Sequence, residues 1–224
     1  MTAGTEPTSL AEQVAAMEAQ LGPALPAEAL AAFDENRALL TRGGVPAGVS
    51  KPGSPLPSAD LLDVHGAPTT VAETAGGRPS VLVFYRGAWC PYCNVALRAY
   101  QQELVPELDR LGITLIAVSP QKPDGSLTVA ESNELSFAVL SDPGNQLGAG
   151  LGILNAPTPD AKAAQEGLGM NLAEVNADGT WTLPMPTVVL VDAEGTIRWI
   201  DVHPDYGTRT EPADILQAIR TTTV

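Results

Sequence analysis

The chain has 224 residues, enough for one domain of about 100–200 residues with extensions, and 44% of them are hydrophobic. Charged residues make up 17%, yet the formal net charge is −14, which disfavours binding to nucleic acid phosphates and to anionic membranes. The N-terminus lacks a basic segment followed by an apolar one, and no apolar run reaches the roughly 20 residues that span a bilayer. We therefore expect a cytoplasmic protein with no nucleic acid partner and no membrane partner.

Residues 1–44 are predicted to form an N-terminal helical extension, because apolar side chains recur at helical spacing on both sides of a break at Gly22-Pro23. We expect this extension to serve packing or dimerisation, so the predicted partners include a second copy in a homodimer. Residues 45–79 are rich in proline and glycine and predict a short strand–turn–strand that leads into the core. No linker to a second folded domain is visible, which makes 45–224 the main domain.

A strand–helix alternation begins at residue 80. The continuous apolar run Val81–Tyr85 is typical of a buried central strand. A helix is predicted from about Cys93 to Leu111, with a kink at Pro106. Another buried strand follows over Thr114–Val118.

The C-terminal half continues with shorter elements. A strand is predicted over Phe137–Leu140, and the irregular residues 154–182 are treated as an insertion. Thr187–Val191 and Thr196–Ile200 predict a hairpin, and a last helix is expected over Glu211–Ile219. Together these elements predict an α/β fold with a central mixed sheet and helices on both faces.

The two cysteines of the chain, Cys90 and Cys93, form a Cys-x-x-Cys motif between a predicted strand and a predicted helix. The unpaired N–H groups and the partial positive charge at a helix N-terminus favour the thiolate, which is the reactive form of cysteine. With two intervening residues, one sulfur can attack a substrate and the other can resolve the mixed disulfide. The motif therefore predicts redox chemistry through a reversible disulfide. Arg86, at the end of the strand, either adds positive potential or is a solvated or structural charge.

Two alternatives for the cysteines remain open. Cys-x-x-Cys is also half of a zinc site, but the two histidines, His65 and His203, lack the paired spacing of zinc ligands. Two buried, inert cysteines are the other alternative. We expect no metal and no cofactor. Because Cys90 precedes the first helical turn, we expect it to be the more exposed sulfur and the attacking thiolate, with Cys93 as its resolving partner.

A second feature lies far downstream of the dithiol. Met185-Pro186-Thr187 directly precedes a predicted strand, the position at which thioredoxin-like folds place a cis-proline opposite the dithiol. We therefore predict a cis Met185–Pro186 bond that faces the two sulfurs, with an ordinary trans turn as the alternative.

The residues around the dithiol resemble a known family. Phe84–Cys93 is similar to a subgroup of peroxiredoxin-like proteins with a thioredoxin-type dithiol, and this motif makes Trp89 and Tyr92 candidate supporting residues. Lys51–Leu56 and Phe137–Pro143 look like the opening and the middle of the peroxiredoxin family that includes alkyl hydroperoxide reductase and thiol-specific antioxidant proteins. The resemblance covers residues from about 45 to 220 and implies a thioredoxin-like fold.

The sequence differs from the family pattern at several positions of the site. With Phe84-Tyr85 aligned, Cys93 occupies the peroxidatic position of the family, Cys90 replaces its threonine and Pro186 replaces its peroxide-binding arginine. The resemblance implies an antioxidant thiol oxidoreductase that reduces hydroperoxides through an intramolecular disulfide. Its electrons would come from a thioredoxin-like protein or a low-molecular-weight thiol. A disulfide reductase and a redox-gated adaptor without turnover remain as alternatives.

Overall fold

A computed structural model describes residues 9–222. The expectation about the extreme N-terminus therefore rests partly on residues 1–8, which lie outside the described residues. The helices are α1 (Leu10–Leu21), α2 (Ala27–Gly43), α3 (Val71–Ala75), α4 (Pro91–Ala99), α5 (Val105–Leu111), α6 (Pro123–Ser132), α7 (Gln146–Leu151), α8 (Pro159–Gly167), α9 (Leu172–Val175) and α10 (Pro212–Thr221). The strands are β1 (Leu61–Leu62), β2 (Pro68–Thr69), β3 (Ser80–Phe84), β4 (Thr114–Ser119), β5 (Ala138–Ser141), β6 (Leu154–Asn155), β7 (Leu183–Pro184), β8 (Thr187–Val191) and β9 (Ile197–Val202).

Seven strands form one mixed sheet in the order β2-β1-β5-β4-β3-β8-β9. The central strands β3, β4 and β5 are parallel, whereas β8 runs antiparallel to β3 and β9 antiparallel to β8. Helices cover both faces of this sheet, which confirms the predicted α/β, thioredoxin-like architecture. The strands β6 and β7 pair separately, at the two ends of the region predicted to be an insertion.

The buried strand β3 organises the core because its side chains alternate between two apolar clusters. Val81 and Val83 pack on the face that holds α4, while Leu82 and Phe84 pack on the face that holds α7. All five residues of β3 are buried, as the continuous apolar run predicts for a central strand. This strand ends directly before the dithiol.

The helix after the dithiol differs from the prediction of one kinked helix that begins near Cys93. Helix α4 begins earlier, at Pro91, and is followed by a π-helical turn over Tyr100–Leu104 and then by α5. Pro106 has no N–H to donate to the preceding turn, so the regular hydrogen-bond ladder is interrupted there. The π-helical turn accommodates this interruption without ending the helical path.

The N-terminal extension packs on the same core as the dithiol helix. Leu10 and Val14 of α1 are buried in the apolar cluster that includes α4, and the N–H groups of Leu10 and Ala11 donate to the Glu211 carboxylate at 2.9 Å. Asn36 of α2 accepts a hydrogen bond at 2.9 Å from the backbone N–H that precedes α8. Dimerisation through this extension stays a prediction.

The segment 154–182 contains more regular structure than the sequence suggests. It includes helix α8 and the short helix α9. Within the described part of the chain, none of the helices combines the length and the apolar character needed to cross a membrane.

Candidate active site

The dithiol lies where β3 leads into α4. Cys90 is the N-cap residue of α4 and Pro91 is its first residue, a position where the missing N–H of proline has no cost. The preceding loop is held by Gln121, whose Oε1 accepts the Ala88 N–H at 2.7 Å. Gly87 has φ +149°, and a side chain there would collide with the Trp89 indole. The sulfurs are therefore placed by a fixed strand-to-helix connection.

Three hydrogen-bond donors surround the sulfur of Cys93. The backbone N–H of Arg86 donates to Sγ at 3.4 Å, and Nη2 of Arg209 donates to the same atom at 3.4 Å. The thiol of Cys90 is the third donor. A sulfur with three donors, one of them a guanidinium, is an environment that stabilises a thiolate.

The two thiols differ in acidity as a result. Burial by itself raises the pKa of Cys93, but the hydrogen bond from Cys90, the Arg209 charge and the Arg86 N–H outweigh burial and lower this pKa to about 5. Burial and the hydrogen bond to Cys93 raise the pKa of Cys90 well above its ordinary value. At neutral pH the site therefore holds a Cys93 thiolate next to a Cys90 thiol.

The expectation that Cys90 is the more exposed sulfur is wrong, because both residues have 0% relative exposure. Residues of α1, α2 and α8 cover the start of α4, which a reading of the α4 sequence alone does not reveal. Both cysteines are free thiols in this structure, and their reversible disulfide stays a prediction. Across residues 9–222, His, Cys, Asp and Glu side chains form no group of three that could hold a metal ion.

The prediction of a cis Met185–Pro186 bond is also wrong, since every peptide bond among the described residues is trans. The segment continues the extended backbone of β8: the Pro186 carbonyl accepts the His203 N–H at 2.8 Å, and the Thr187 hydroxyl donates to the Met185 carbonyl at 2.9 Å. Pro186 nevertheless lines a small cavity of about 10 Å³ together with Cys93. Such a volume has room for about one water molecule.

Arg86 is not a solvated charge, because this residue is 7% exposed. A structural charge and a source of positive potential remain as its predicted roles. Its guanidinium lies 5.0 Å from the ring centroid of Trp89 and 4.1 Å from that of Tyr206. These cation–π contacts partly replace the lost hydration of the charge. Arg86 and Trp89, both predicted site residues, thus form one cluster beside the dithiol.

Tyr92, the fourth predicted supporting residue, connects the dithiol helix to the N-terminal extension. Its hydroxyl donates to Glu18 of α1 at 2.9 Å. Burial and this carboxylate raise the pKa of Tyr92 above its ordinary value, so the hydroxyl remains a donor at neutral pH. Arg37 of α2 forms ion pairs with Glu18 at 2.7 Å and with Asp205 at 2.8 Å. Helices α1 and α2 are therefore held over the start of α4.

Arg209 contacts the dithiol and was not among the predicted site residues. It lies in the irregular segment between β9 and α10, 116 residues from Cys93, and no periodicity or motif marks it. Its guanidinium also donates to the carbonyls of Tyr206 and Thr208. The neighbouring Thr210 carbonyl accepts from the Tyr100 hydroxyl at 2.8 Å, which holds this segment against the dithiol helix.

An open apolar cavity of about 550 Å³ lies on the Cys90 side of the dithiol. Its walls come from the N-terminal extension, from the segment that includes α8, and from the Arg86–Tyr92 loop. Cys90 lines this apolar cavity, whereas Cys93 lines the small cavity on the other side. The two sulfurs thus face spaces of very different size.

The fold and the thiolate site define a thioredoxin-like protein of the peroxiredoxin type. The structure is similar to peroxidoxin BcpB from Mycobacterium tuberculosis, with a TM-score of 0.58 and 18% identity over 78% of this chain and 99% of that one. It is also similar to reduced Prx3 from Vibrio vulnificus in complex with H₂O₂, with a TM-score of 0.56 and 20% identity over 69% of this chain and 88% of that one.

Residues 52–200 match the AhpC/TSA family, and the chain belongs to this family. A protein of Mycobacterium tuberculosis described as a peroxiredoxin is 28% identical over 96 residues, which cover 43% of this chain and 60% of the relative. A Haemophilus influenzae protein described as the peroxiredoxin bcp is 28% identical over 101 residues, 45% of this chain and 64% of the relative. The chain thus spans about 60% of the length of these relatives. The family resemblance predicted from the sequence is confirmed.

Proposed function

We propose that the protein is a thiol-dependent peroxidase in which Cys93 is the peroxidatic nucleophile and Cys90 the resolving thiol. The observation that supports this proposal is the Cys93 sulfur, which accepts from the Arg86 N–H and from Arg209 and has a pKa lowered to about 5. The position of Cys90 before the first helical turn predicts that Cys90 attacks first. The acidity of the two thiols supports the reverse order.

The first step consumes the hydroperoxide. The Cys93 thiolate attacks the terminal oxygen of the hydroperoxide, the O–O bond breaks, and the leaving oxygen takes a proton to form an alcohol or water. Cys93 is thereby oxidised to a sulfenic acid. Arg209, at 3.4 Å from the sulfur, can stabilise the negative charge that develops on the leaving oxygen. This residue would supply the positive charge that the family alignment fails to find at Pro186.

The second step closes the disulfide. Cys90 already donates a hydrogen bond to Cys93, so its sulfur lies next to the sulfenic sulfur without rearrangement of α4. Its attack forms the Cys90–Cys93 disulfide and releases the sulfenic oxygen as water, which takes the Cys90 proton. Two electrons from an external thiol donor then restore the dithiol.

A disulfide reductase acting on proteins is the alternative, and the burial of both sulfurs gives it less support. An attack on a protein disulfide requires an exposed thiolate that reaches the partner surface. Turnover with hydroperoxide, measured beside turnover with a disulfide substrate, separates the two activities. We also propose that the peroxidase is cytoplasmic.

The test uses two single variants, Cys90→Ser and Cys93→Ser, treated with hydroperoxide and a sulfenic acid probe. We expect Cys90→Ser to form a persistent sulfenic acid on Cys93, because its resolving thiol is absent. Cys93→Ser should remain unlabelled under the same conditions. Mass spectrometry identifies the modified residue. Labelling of Cys90 in Cys93→Ser, with an inert Cys90→Ser, would contradict the proposed roles.

A further inference from the structure

We infer that the apolar cavity beside Cys90 binds the reductant, a small thiol with an apolar body, which attacks the oxidised site at Cys90. This inference rests on the proposed function, because it concerns the disulfide which that function forms. It adds the chemical class of the electron donor, the sulfur that is attacked and the route of entry.

The first support is the division of space around the two sulfurs. Cys90 lines the apolar cavity of about 550 Å³, a volume within the range of small-molecule sites. Cys93 lines the cavity of about 10 Å³, which has no room for an alkyl chain. A ligand with an apolar body that reaches the dithiol through the larger space therefore meets Cys90 first.

The second support is the chemistry of the Cys90–Cys93 disulfide. When a thiolate attacks one sulfur of a disulfide, the other sulfur leaves, and the more acidic thiol leaves faster. Attack on Cys90 releases Cys93 as a thiolate that Arg209 and the Arg86 N–H already stabilise. The sulfur that faces the apolar cavity is thus also the sulfur whose attack gives the better leaving group.

The reaction balances with two equivalents of thiol. The first thiolate attacks Cys90, forms a mixed disulfide with it and releases the Cys93 thiolate. The second thiolate attacks the external sulfur of this mixed disulfide, which frees Cys90 as a thiolate that takes up a proton. The donor leaves as its own disulfide, having lost two electrons and two protons, and the enzyme regains one thiol and one thiolate.

The walls of the apolar cavity indicate a small donor rather than a protein. Met17, Leu30 and Phe33 come from the N-terminal extension, and Leu168 and Met170 follow helix α8. These residues lie outside the family match over 52–200 or within the segment 154–182. Together with the ion pairs of Arg37 they enclose the space beside Cys90, so a thiol that reaches this sulfur has to be small enough to enter the cavity.

The experiment compares 2-mercaptoethanol with 6-mercapto-1-hexanol, which share the thiol and the hydroxyl and differ by four methylenes. The full chain is oxidised to the Cys90–Cys93 disulfide with diamide, so that the test does not depend on peroxidase activity. Stopped-flow measurements give the reduction rate over a range of thiol concentrations, normalised to the rate of each thiol with a small soluble disulfide. Acid quenching and peptide mapping locate the mixed disulfide.

Each methylene that is buried strengthens binding about fourfold, so we expect the longer thiol to saturate at a concentration up to about 10²-fold lower. The mixed disulfide should form on Cys90. Ala24 is exposed and lines the apolar cavity, so Ala24→Trp narrows its mouth and should remove most of this preference. Ala27→Trp, at an exposed position that does not line the cavity, is the matched control and should keep the preference.

Several results would overturn the inference. The inference would be overturned by equal normalised reduction rates for the two thiols or by a mixed disulfide on Cys93. It would also be overturned if Ala24→Trp left the preference for the longer thiol unchanged. A preference for longer hydroperoxides that Ala24→Trp removes, together with no preference for longer thiols, would show that the apolar cavity binds the oxidant. If hydroperoxide fails to oxidise Cys93 while the diamide-formed disulfide shows the thiol preference, the proposed function fails and the cavity assignment stands.

Discussion

Replacing Arg209 with methionine should raise the pKa of Cys93 and slow its reaction with hydroperoxides. Methionine keeps an unbranched side chain of similar length but removes the guanidinium that donates to Sγ at 3.4 Å. The other two donors, the Arg86 N–H and the Cys90 thiol, remain in place. The variant therefore isolates the contribution of one positive charge to the stability of the Cys93 thiolate.

The expected size follows from the geometry. Two unit charges 3.4 Å apart attract by about 5 kcal/mol at an effective dielectric constant of about 20, which is an upper limit here. The guanidinium charge is delocalised and Arg209 is partly exposed, so the value of a charge-assisted hydrogen bond, about 1.5–3 kcal/mol, is the better measure. This corresponds to a rise of about 1–2 in the pKa of Cys93, from about 5.

The assay is a thiolate titration of the reduced protein by ultraviolet absorbance. The raised pKa of Cys90 leaves Cys93 as the cysteine that titrates in the acid range, so the dithiol stays intact. Because a lowered pKa keeps the thiolate populated until the pH falls through it, the parent should lose its absorbance near pH 5. Arg209→Met should lose it between about pH 6 and 7. The rate with hydroperoxide should fall by about 10²-fold, since the leaving oxygen also loses its donor.

Arg220→Met serves as the matched control, because it removes the same charge from an exposed position on α10. It should leave both the titration and the rate unchanged. An unchanged titration midpoint in Arg209→Met would refute the assignment of Arg209 as a thiolate partner. An equal change in both variants would show that only net charge matters.

The remaining predictions concern the parts that hold the site together. The ion pair with Arg37 and the backbone donors outweigh burial and lower the pKa of Asp205, so its stabilisation is present at neutral pH and is lost as the pH falls through that lowered pKa. Asp205→Asn should therefore lower the free energy of unfolding, measured in urea at pH 7, by about 1–3 kcal/mol. In strong acid the variant and the parent should be equally stable, and a difference in stability that persists there would contradict this prediction. Gly87→Ala should force the Trp89 indole to move, lowering both stability and peroxidase turnover. Gly112→Ala is the control for backbone strain, because Gly112 has φ +70° and an added Cβ would meet no atom within 4 Å. An equal loss of stability in Gly87→Ala and Gly112→Ala would argue against the collision with Trp89.

The elements that the sequence predicts well are those with a local cause. The strand β3 is a continuous apolar run, and the turn into α4 has the Cys-x-x-Cys motif at its end. The strand β8 is also a fully buried apolar run, and a turn connects it to β9. These features depend on neighbouring residues alone. They were sufficient for the fold class, for the family and for the position of the dithiol.

The properties of the site depend on contacts between distant parts of the chain. Arg209 reaches Cys93 from an irregular segment, and its place is set by the Tyr100–Thr210 hydrogen bond. Cys90 is buried because α1 and α2 close over it, held in part by Glu18. In the family alignment, Pro186 occupies the position of the positive charge. In the folded chain, Arg209 supplies this charge from another loop.

The unequal acidity of the two thiols has a consequence for the reduction potential of the pair. A Cys93 pKa of about 5 in place of 9.0 stabilises the reduced protein at pH 7 by about 3 kcal/mol, while the raised pKa of Cys90 leaves that thiol protonated in either case. For a two-electron couple, this corresponds to a potential about 60 mV more positive than that of a pair with ordinary thiols. In the proposed mechanism, the donors that prepare Cys93 for oxidation therefore also make the Cys90–Cys93 disulfide thermodynamically easier to reduce.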